Sequence, residues 1–576
     1  MSKVIYVCAR NGLPPGTAQR LRRICENLAP DNITPRAPKV LVRGDVAYGI
    51  MNPQRSMLES GSSVLIGHLF EKNARWADPS QRLLDGSFVL FRDGDDRLEI
   101  RTDLLGSRAL WTYLDDELFI ASTSQRAMII FLGSFEFDDR LIPWMLSTGT
   151  LGPSHAWDRR IRLTPADSAV ILDKKAWVLS TDSNPIEAPH SERSDSQHEE
   201  RLWGAVQKVF ETIDVDFSTW VLPLSGGYDS RSMLWLFLKY GADPDAVRTI
   251  TWGQAACQYE EGNEPAVARE VAEAIGVSNT FYPMDLSDEP MQTLLDRFIL
   301  LGEGRTDRLS GYMDGFGIWK TLFEEGVEGS IRGDEAFGMS PLLITYGMTR
   351  RRVGCGLCSD FANLKDIIRD YGLAPQELPE RLQPKKEETL DTWRDRAYRQ
   401  YRVPIILSSL SDLKLPFGEI MCPLFSRKIV EIARQLPDHL RNQKTLYRKI
   451  TGSLGPPVPY STRGATPKPQ WVVTQDSIKR LMVEELSSIR AGSLFPAGFA
   501  DHVLQEMETG RGAYAAPSAV GPLRAAIRQL VPKQTRRTVR ETVSLPGVDP
   551  HRVAFRVYLV SRMNAVLNAD TTRVKD

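Results

Sequence analysis

Six residues, Ser225-Gly226-Gly227-Tyr228-Asp229-Ser230, stand between the apolar stretch Trp220-Val221-Leu222-Pro223-Leu224 and a helix-forming run that begins at Arg231. Adjacent glycines let a backbone turn sharply and present bare N–H groups to an anion. Ser225 and Ser230 add hydroxyl donors at the positive end of the helix that follows. That chemistry is phosphate binding. Asp229 sits among these donors, where a carboxylate repels phosphate unless a divalent cation lies between them, so the loop also calls for Mg2+. The chain has no G-x-x-x-x-G-K-[ST] run, so this is not the common P-loop. A plain turn between strand and helix explains two glycines but not the whole Ser-Gly-Gly-x-Asp-Ser order.

A loop of this kind needs a strand before it and a helix after it, and the surrounding pattern supplies both. Beyond residue 200, Trp220 to Leu224, Arg248 to Trp252, Thr280 to Met284 and Gly329 to Arg332 read as strands. They alternate with helices Arg231 to Tyr240 and Glu264 to Ile275 and with helical stretches between 290 and 325. Such alternation predicts a doubly wound parallel sheet, in which ligands bind at the carboxyl ends of strands. Before it, residues 1–180 read as many short strands: Val4 to Val7, Val64 to Ile66, Ser87 to Phe91, Leu98 to Thr102, Leu118 to Ala121 and Ser168 to Leu172, broken by Asp-Gly and similar turns. The polar stretch Ser180 to Glu200 predicts an exposed linker, dividing the chain into domains 1–185 and 200–576. From about 380 the chain reads as mostly helical, with a basic stretch (Lys533, Arg536, Arg537, Arg540) and a terminal apolar helix, Val553 to Leu567. No internal repeat is found.

Bulk properties exclude several classes. At 576 residues at least two domains are expected. Lysine and arginine (72) balance aspartate and glutamate (73), so no overall field marks a nucleic-acid or membrane-surface binder. Six cysteines are too few for a disulfide framework at this length and fit a reducing compartment. The Cys355-Gly-Leu-Cys358 pair lacks the second pair or histidines that zinc would want. There is no apolar run of eighteen residues and no signal-peptide pattern at Met1-Ser-Lys-Val-Ile-Tyr-Val. A soluble, cytoplasmic protein is expected.

The Ser225–Ser230 loop resembles the S-G-G-x-D-S loop of N-type ATP pyrophosphatases, which cut ATP to AMP and pyrophosphate. The wider pattern resembles the asparagine synthetase superfamily, which includes β-lactam synthetases and lasso peptide cyclases, over nearly the whole chain. Leu84-Asp85-Gly86-Ser87-Phe88, then Arg101-Thr102-Asp103 through Gly106 to Leu110-Trp111, then Phe119-Ile120-Ala121-Ser122 are similar to blocks of its amidotransferase-type domain. Asn263-Glu264 leading to Ala268–Gly276, and Arg332-Gly333-Asp334-Glu335-Ala336-Phe337-Gly338, are similar to its synthetase half. The implied fold is an N-terminal Ntn-type amidotransferase-like sandwich followed by an α/β ATP pyrophosphatase domain with a helical C-terminal part.

What the resemblance implies depends on the departures. Glutamine-hydrolysing members carry a cysteine directly after the initiator methionine, where its own α-amine helps as base. Here the position is Ser2, Cys8 has no free α-amine beside it, and Ile66-Gly67-His68-Leu69-Phe70 replaces N-G-E-I-Y. The first domain is then expected to be a relic. Ile331 replaces the acid of the family's G-E-G-S-D-E block, which argues against asparagine as product. β-Lactam synthetases have tyrosine there and lack the Asp334-Glu335 pair. The branch implied is a lasso peptide cyclase: adenylation of an Asp or Glu side chain of a precursor peptide, then macrolactam closure by its N-terminal amine. A β-lactam synthetase-like or ammonia-dependent asparagine synthetase-like ligase on a small substrate is the alternative, and a silent scaffold a third reading.

In this reading ATP is held by Leu224, Ser225, Gly226, Gly227, Asp229, Ser230 and Gly333, with Thr251 and Trp252 at the adenine pocket. Trp252 is equally readable as a core tryptophan. Mg2+ falls to Asp229 and Asp334. Glu335, Lys444 (in Lys444-Thr-Leu-Tyr-Arg448) and Lys468 (in Ala465-Thr-Pro-Lys468-Pro-Gln-Trp471) are the catalytic candidates, Arg463 lying nearer the usual register than Lys468. Glu419 occupies the glutamate of an E-A-R-x-P-F block whose arginine is Met421 here, leaving a structural role as open as a substrate contact. Glu303, Arg305, Asp307 and Tyr312 form a polar group suited to reading a substrate or to capping a helix. The implied partners are a precursor peptide, a leader-binding protein and a leader peptidase, with no nucleic acid and no membrane.

Overall fold

The computed structural model describes residues 3–71, 74–81, 83–184, 191–341, 345–489, 494–510 and 545–573. The protein is mixed α/β, with two antiparallel sheets, one parallel sheet and many helices. The antiparallel strands are β1 (Val4–Ala9), β2 (Lys39–Arg43), β3 (Val46–Ile50), β4 (Leu58–Ser60), β5 (Ser63–Leu69), β6 (Gly86–Asp93), β7 (Arg97–Thr102), β8 (Trp111–Leu114), β9 (Leu118–Ser122), β10 (Arg162–Leu163), β11 (Ser168–Asp173) and β12 (Val178–Ser183). One sheet runs β10-β8-β9-β1-β3-β2 and the other β12-β11-β7-β6-β5-β4.

The side-chain alternation of a strand explains how these sheets stack. From β1, Val4, Tyr6 and Cys8 join β5, β6 and β7 residues such as Val64, Val89 and Ile100 in a core between the sheets. Ile5 and Val7 point the other way, against Leu21 and Ile24 of helix Thr17–Asn27 and Met128 and Ile129 of helix Gln125–Leu132. Buried on both faces, β1 reads as an unbroken apolar run. The six strands expected from sequence are all present. The six not foreseen are mostly short or polar, and the helices at 17–27 and 125–132 are additions to a region read as strands alone.

The parallel sheet follows: β13 (Trp220–Pro223), β14 (Arg248–Gly253), β15 (Ser278–Pro283), β16 (Gly329–Ile331) and β17 (Glu419–Met421), in the order β15-β14-β13-β16-β17. Successive crossovers run one way from β13 to β15 and the other way to β16 and β17, so the order reverses between β13 and β16. That is the switch point where open α/β sheets bind ligands. Strand β17 lies in a stretch read from sequence as helical; three residues in register with β16 are too few to show a period. Helix Tyr228–Lys239 begins three residues earlier than expected, inside the glycine loop itself.

The stretch read as a linker is shorter than expected. Strand β12 runs to Ser183, and a helix starts at Asp195, where Ser194 and Gln197 form a reciprocal capping box. The basic stretch at Lys533, Arg536, Arg537 and Arg540 lies outside the described residues, as does Ser2. The terminal helix, Pro550–Asp570, is buried along most of its length and fixed by Arg552 and Arg556 on Asp307, each at 2.7 Å, and by Asp570 on Arg126 at 2.9 Å. Among the described residues no helix is long and apolar enough to cross a membrane.

Candidate active site

The loop after β13 is built as a knot of hydroxyl and backbone groups. The Ser230 hydroxyl accepts from the Ser225 N–H at 3.0 Å and lies 3.1 Å from the Ser225 hydroxyl, which in turn accepts from the Gly227 N–H at 3.1 Å. Leu224 continues the ladder past the strand end, its N–H donating to Ile250 O at 2.8 Å. Gly227 caps helix Tyr228–Lys239 with ordinary negative φ, and Gly226 is not in the left-handed region either. Space, rather than backbone freedom, fixes Gly226: a Cβ there would stand 2.3 Å from the Ser461 Cβ. Arg231 holds the covering segment down, donating to Val458 O and Pro459 O at 2.6 Å each.

The loop after β16 closes against this one. A Cβ on Gly333 would lie 3.0 Å from the Asp229 carbonyl carbon and 3.1 Å from the Ser230 nitrogen, so glycine lets two strand-end loops touch at the switch point. The touch brings Asp229 and Glu335 to one cation. Lys444 Nζ pairs with Asp229 Oδ2 and lies 3.1 Å from Glu335 Oε1. Lys444 and Gln443 are consecutive non-glycine residues at φ 60 and 55, a conformation costing about 1 kcal/mol or more each. Helix Thr445–Thr451 sustains it, with Tyr447 stacked on Phe337 at 4.0 Å and bonded to Ser232 at 2.8 Å.

Electrostatically this half of the site is short of positive charge. Burial pushes the Glu335 carboxyl up to about 7, with Asp229 adding to the rise and Lys444 opposing it. Lys444 is raised despite its own burial, because Glu335 and Asp229 favour its charged form. Asp229 Oδ1 is buried with no hydrogen-bond partner among the described residues. An unpartnered carboxylate oxygen beside a phosphate-type loop fits Mg2+, which commonly takes one or two protein carboxylates and completes its shell with substrate phosphates and water. Among the described residues no three His, Cys, Asp or Glu side chains converge as a self-sufficient metal cage. Asp334, the second expected ligand, is turned to Arg332 at 3.1 Å and to the Cys422 thiol at 3.9 Å.

Other expected residues fall elsewhere. Thr251 is buried, its hydroxyl 2.7 Å from Leu224 O and 3.1 Å from Asn279 Oδ1, so it braces strand ends. Trp252 meets Trp319 edge-on at 5.8 Å and packs on the core. Glu419 is not brought to the loops: it begins β17, level with Gly329 at the amino end of the sheet, and is buried against Arg108. Lys468 is exposed at the N-cap of helix Pro469–Val473, whereas Arg463 pairs with Glu260. Ser461–Ala465 lies over the site, with Ser461 N–H on Gly226 O at 3.0 Å and Ala465 O accepting from Gln254 N–H at 2.9 Å.

The group at 303–312 is split among interior partners. Glu303 pairs with Lys3 at 2.8 Å, Arg305 with Asp412, and Asp307 with Arg552 and Arg556. Asp85 and Asp103, the acids of the first-domain blocks, likewise serve the frame. Asp85 accepts from the Ser426 hydroxyl and Arg427 N–H, and Asp103 from the N–H groups of Phe88, Leu105 and Ser107. Cys355 and Cys358 are buried free thiols pushed up to about 12 by burial.

Two side chains at the site carry no motif signal, Tyr398 and Lys414, and a third, Arg332, is marked in the sequence only as part of the Asp334 block. Tyr398 opens a ten-residue π-helix, Tyr398–Leu407, a rare geometry frequent at functional sites, and it lines a cleft with Glu335. Lys414 lies under the loops, its Nζ 5.1 Å from the Trp319 ring, and burial pushes it down to about 7 with Arg332 adding to the fall.

No family model and no curated protein matches this chain. Among solved structures the chain is similar to a glutamine phosphoribosylpyrophosphate amidotransferase from B. subtilis, complexed with ADP and GMP, at 10% identity. The match covers 59% of this chain and 83% of that one with a TM-score of 0.20, a likeness too slight to bear on fold or function.

Proposed function

We propose that the protein is an ATP-dependent, AMP-forming amide ligase that activates an Asp or Glu side-chain carboxylate of a precursor peptide and closes a macrolactam with the peptide's N-terminal amine. The observation that carries this reading is the contact of the Ser225–Ser230 loop with the Gly333–Glu335 loop at the switch point, with Lys444 between Asp229 and Glu335 and Asp229 Oδ1 unpartnered. The lasso branch rests on sequence alone: Ser2 in place of a nucleophilic cysteine and Ile331 in place of an acid. A leader-binding protein and a leader peptidase are the partners such a reaction calls for, in the cytoplasm.

In this mechanism Gly226 and the helix that begins at Tyr228 present N–H groups to the phosphates. Asp229 would hold Mg2+ through its open oxygen, and Asp334 would join it on leaving Arg332. The metal, when bound, neutralises charge on the phosphates. Lys444 offsets the charge that develops on the departing pyrophosphate. The substrate carboxylate oxygen attacks the α-phosphorus and pyrophosphate leaves; the amine then attacks the activated carbonyl, AMP leaves with the carboxylate oxygen, and one proton is released. Holding both ends of one peptide in a single site supplies effective molarity worth about 7–11 kcal/mol, which lessens the need for a dedicated acid or base. Exposed Lys468 would have to close over the carbonyl to take part.

The test is AMP and pyrophosphate release from purified protein with ATP, Mg2+ and candidate precursor peptides, together with loss of one water from the peptide by mass. Peptide-dependent release that disappears in Asp229→Ala supports the reading. No turnover with any peptide, or undiminished turnover in Asp229→Ala, would falsify it. Release driven by free aspartate and ammonia would move the assignment to a small substrate.

A further inference from the structure

Beside the Asp229–Lys444–Glu335 group lies a second group with the opposite imbalance. Arg332 meets one carboxylate, Asp334, which pairs with Arg332 Nη2 at 3.1 Å and takes the Cys422 thiol at 3.9 Å, with Lys414 nearby. The second guanidinium nitrogen, Arg332 Nη1, is buried with no hydrogen-bond partner among the described residues. A buried donor left unmade is costly, and a guanidinium fork is shaped for two oxygens of a carboxylate. Tyr398 stands in the same field. Burial and the carboxylates of Glu335, Asp334 and Asp229 hold that phenol protonated, as a donor. An open guanidinium nitrogen on Arg332 thus lies beside a loop whose Asp229 Oδ1 is open in turn.

We propose that Arg332, with Tyr398 as a second donor, is the seat of the carboxylate that the enzyme activates. The two imbalances then answer each other. Asp334 and Asp229 would hold Mg2+ between them, which would leave the Arg332 fork open to the incoming carboxylate in place of Asp334. The carboxylate is held at the carboxyl end of β16 while the nucleotide lies at the carboxyl end of β13, the geometry that transfer of an adenylyl group between them needs. An arginine at position 332 selects an acid and refuses its amide. This assignment rests on the ligase reading, yet its test does not require turnover.

The experiment measures equilibrium binding of N-acetyl-glutamate methylamide and of the matching glutamine derivative, which differ in the side-chain carboxylate, with and without Mg2+ and a non-cleavable ATP analogue. Expected are preference of the wild-type protein for the acid, loss of that preference by about tenfold or more in Arg332→Met with nucleotide affinity retained, and a smaller loss in Tyr398→Phe. Arg332→Lys keeps the charge without the fork and is expected to fall between, which serves if Arg332→Met does not fold. Equal binding of acid and amide by the wild type, or an undiminished preference in both Arg332 variants, overturns the proposal. Failure to bind nucleotide sinks the ligase reading, while the acid preference measured with Mg2+ alone still decides Arg332.

Discussion

The two ends of the parallel sheet hold charge in opposite ways. At the amino end Glu419 is buried against Arg108, Glu328 receives Arg36 at 2.8 Å, and Trp220 covers Gly329 so closely that a Cβ there would stand 2.5 Å from its ring. At the carboxyl end Asp229 and Glu335 share one lysine, Arg332 pairs with Asp334, and Asp229 Oδ1 and Arg332 Nη1 have no partner among the described residues. A folded chain gains nothing from buried charge left unmatched. An end where each acid has its own arginine is explained by stability, whereas an end where two acids share one lysine and both Asp229 Oδ1 and Arg332 Nη1 stand open is where the proposed ligands would bring the missing charges. The same contrast separates Glu419, expected from sequence as a catalytic residue, from Lys444.

The largest effect expected is at the amino end. Arg108→Met leaves Glu419 buried without its partner and should cost about 3–5 kcal/mol of stability by denaturant melts, with specific activity of the folded fraction unchanged. Loss of activity without loss of stability would break the comparison and return Glu419 to catalysis. Next, Lys444→Ala should lower AMP release by about 10²–10³-fold while shifting the melting temperature little, the signature of a group that stabilises developing charge. Gly329→Ala should cost about 1–3 kcal/mol through overpacking on Trp220 and leave the ATP dependence of turnover intact.

A pH slope gives a further comparison. Burial holds Lys414 at about 7 in the folded state, below its unfolded value, so between about pH 7 and 10 the unfolded chain binds more protons and stability rises with pH. The melting temperature of wild type relative to Lys414→Met should therefore climb from pH 7 to 9. A flat difference would mean that Lys414 finds an anion in the free protein. The slope has the same sign for Asp307, held down to about 2 by Arg552 and Arg556 against its burial: its stabilising contribution is full above about pH 4 and fades toward pH 2.

Much of the frame was legible in sequence, where it is periodic. The parallel strands β13 to β15 and helix Glu264–Ile275 carry apolar runs or amphipathic patterns, and the Ser-Gly-Gly-x-Asp-Ser order marks its own place at a strand end. Short β17 and edge strands such as β4 and β10 carry too few residues for any period. Arg332 was visible as a member of the Asp334 block, but nothing at Tyr398 or Lys414 distinguishes a tyrosine or lysine at the site from one at the surface.

The sequence by itself determined the layout: a strand-rich first part, a parallel α/β sheet after it, and a glycine and hydroxyl loop with an acid at a strand's end. These follow from local propensity and spacing, which each segment expresses without its neighbours. Tertiary structure decided which charges meet. Lys444 reaches Asp229 and Glu335 across more than two hundred and more than one hundred residues, Glu419 goes to Arg108, and Arg332 keeps an open nitrogen. Electrostatic balance depends on separation in space and on burial, and neither is written in the order of residues along the chain.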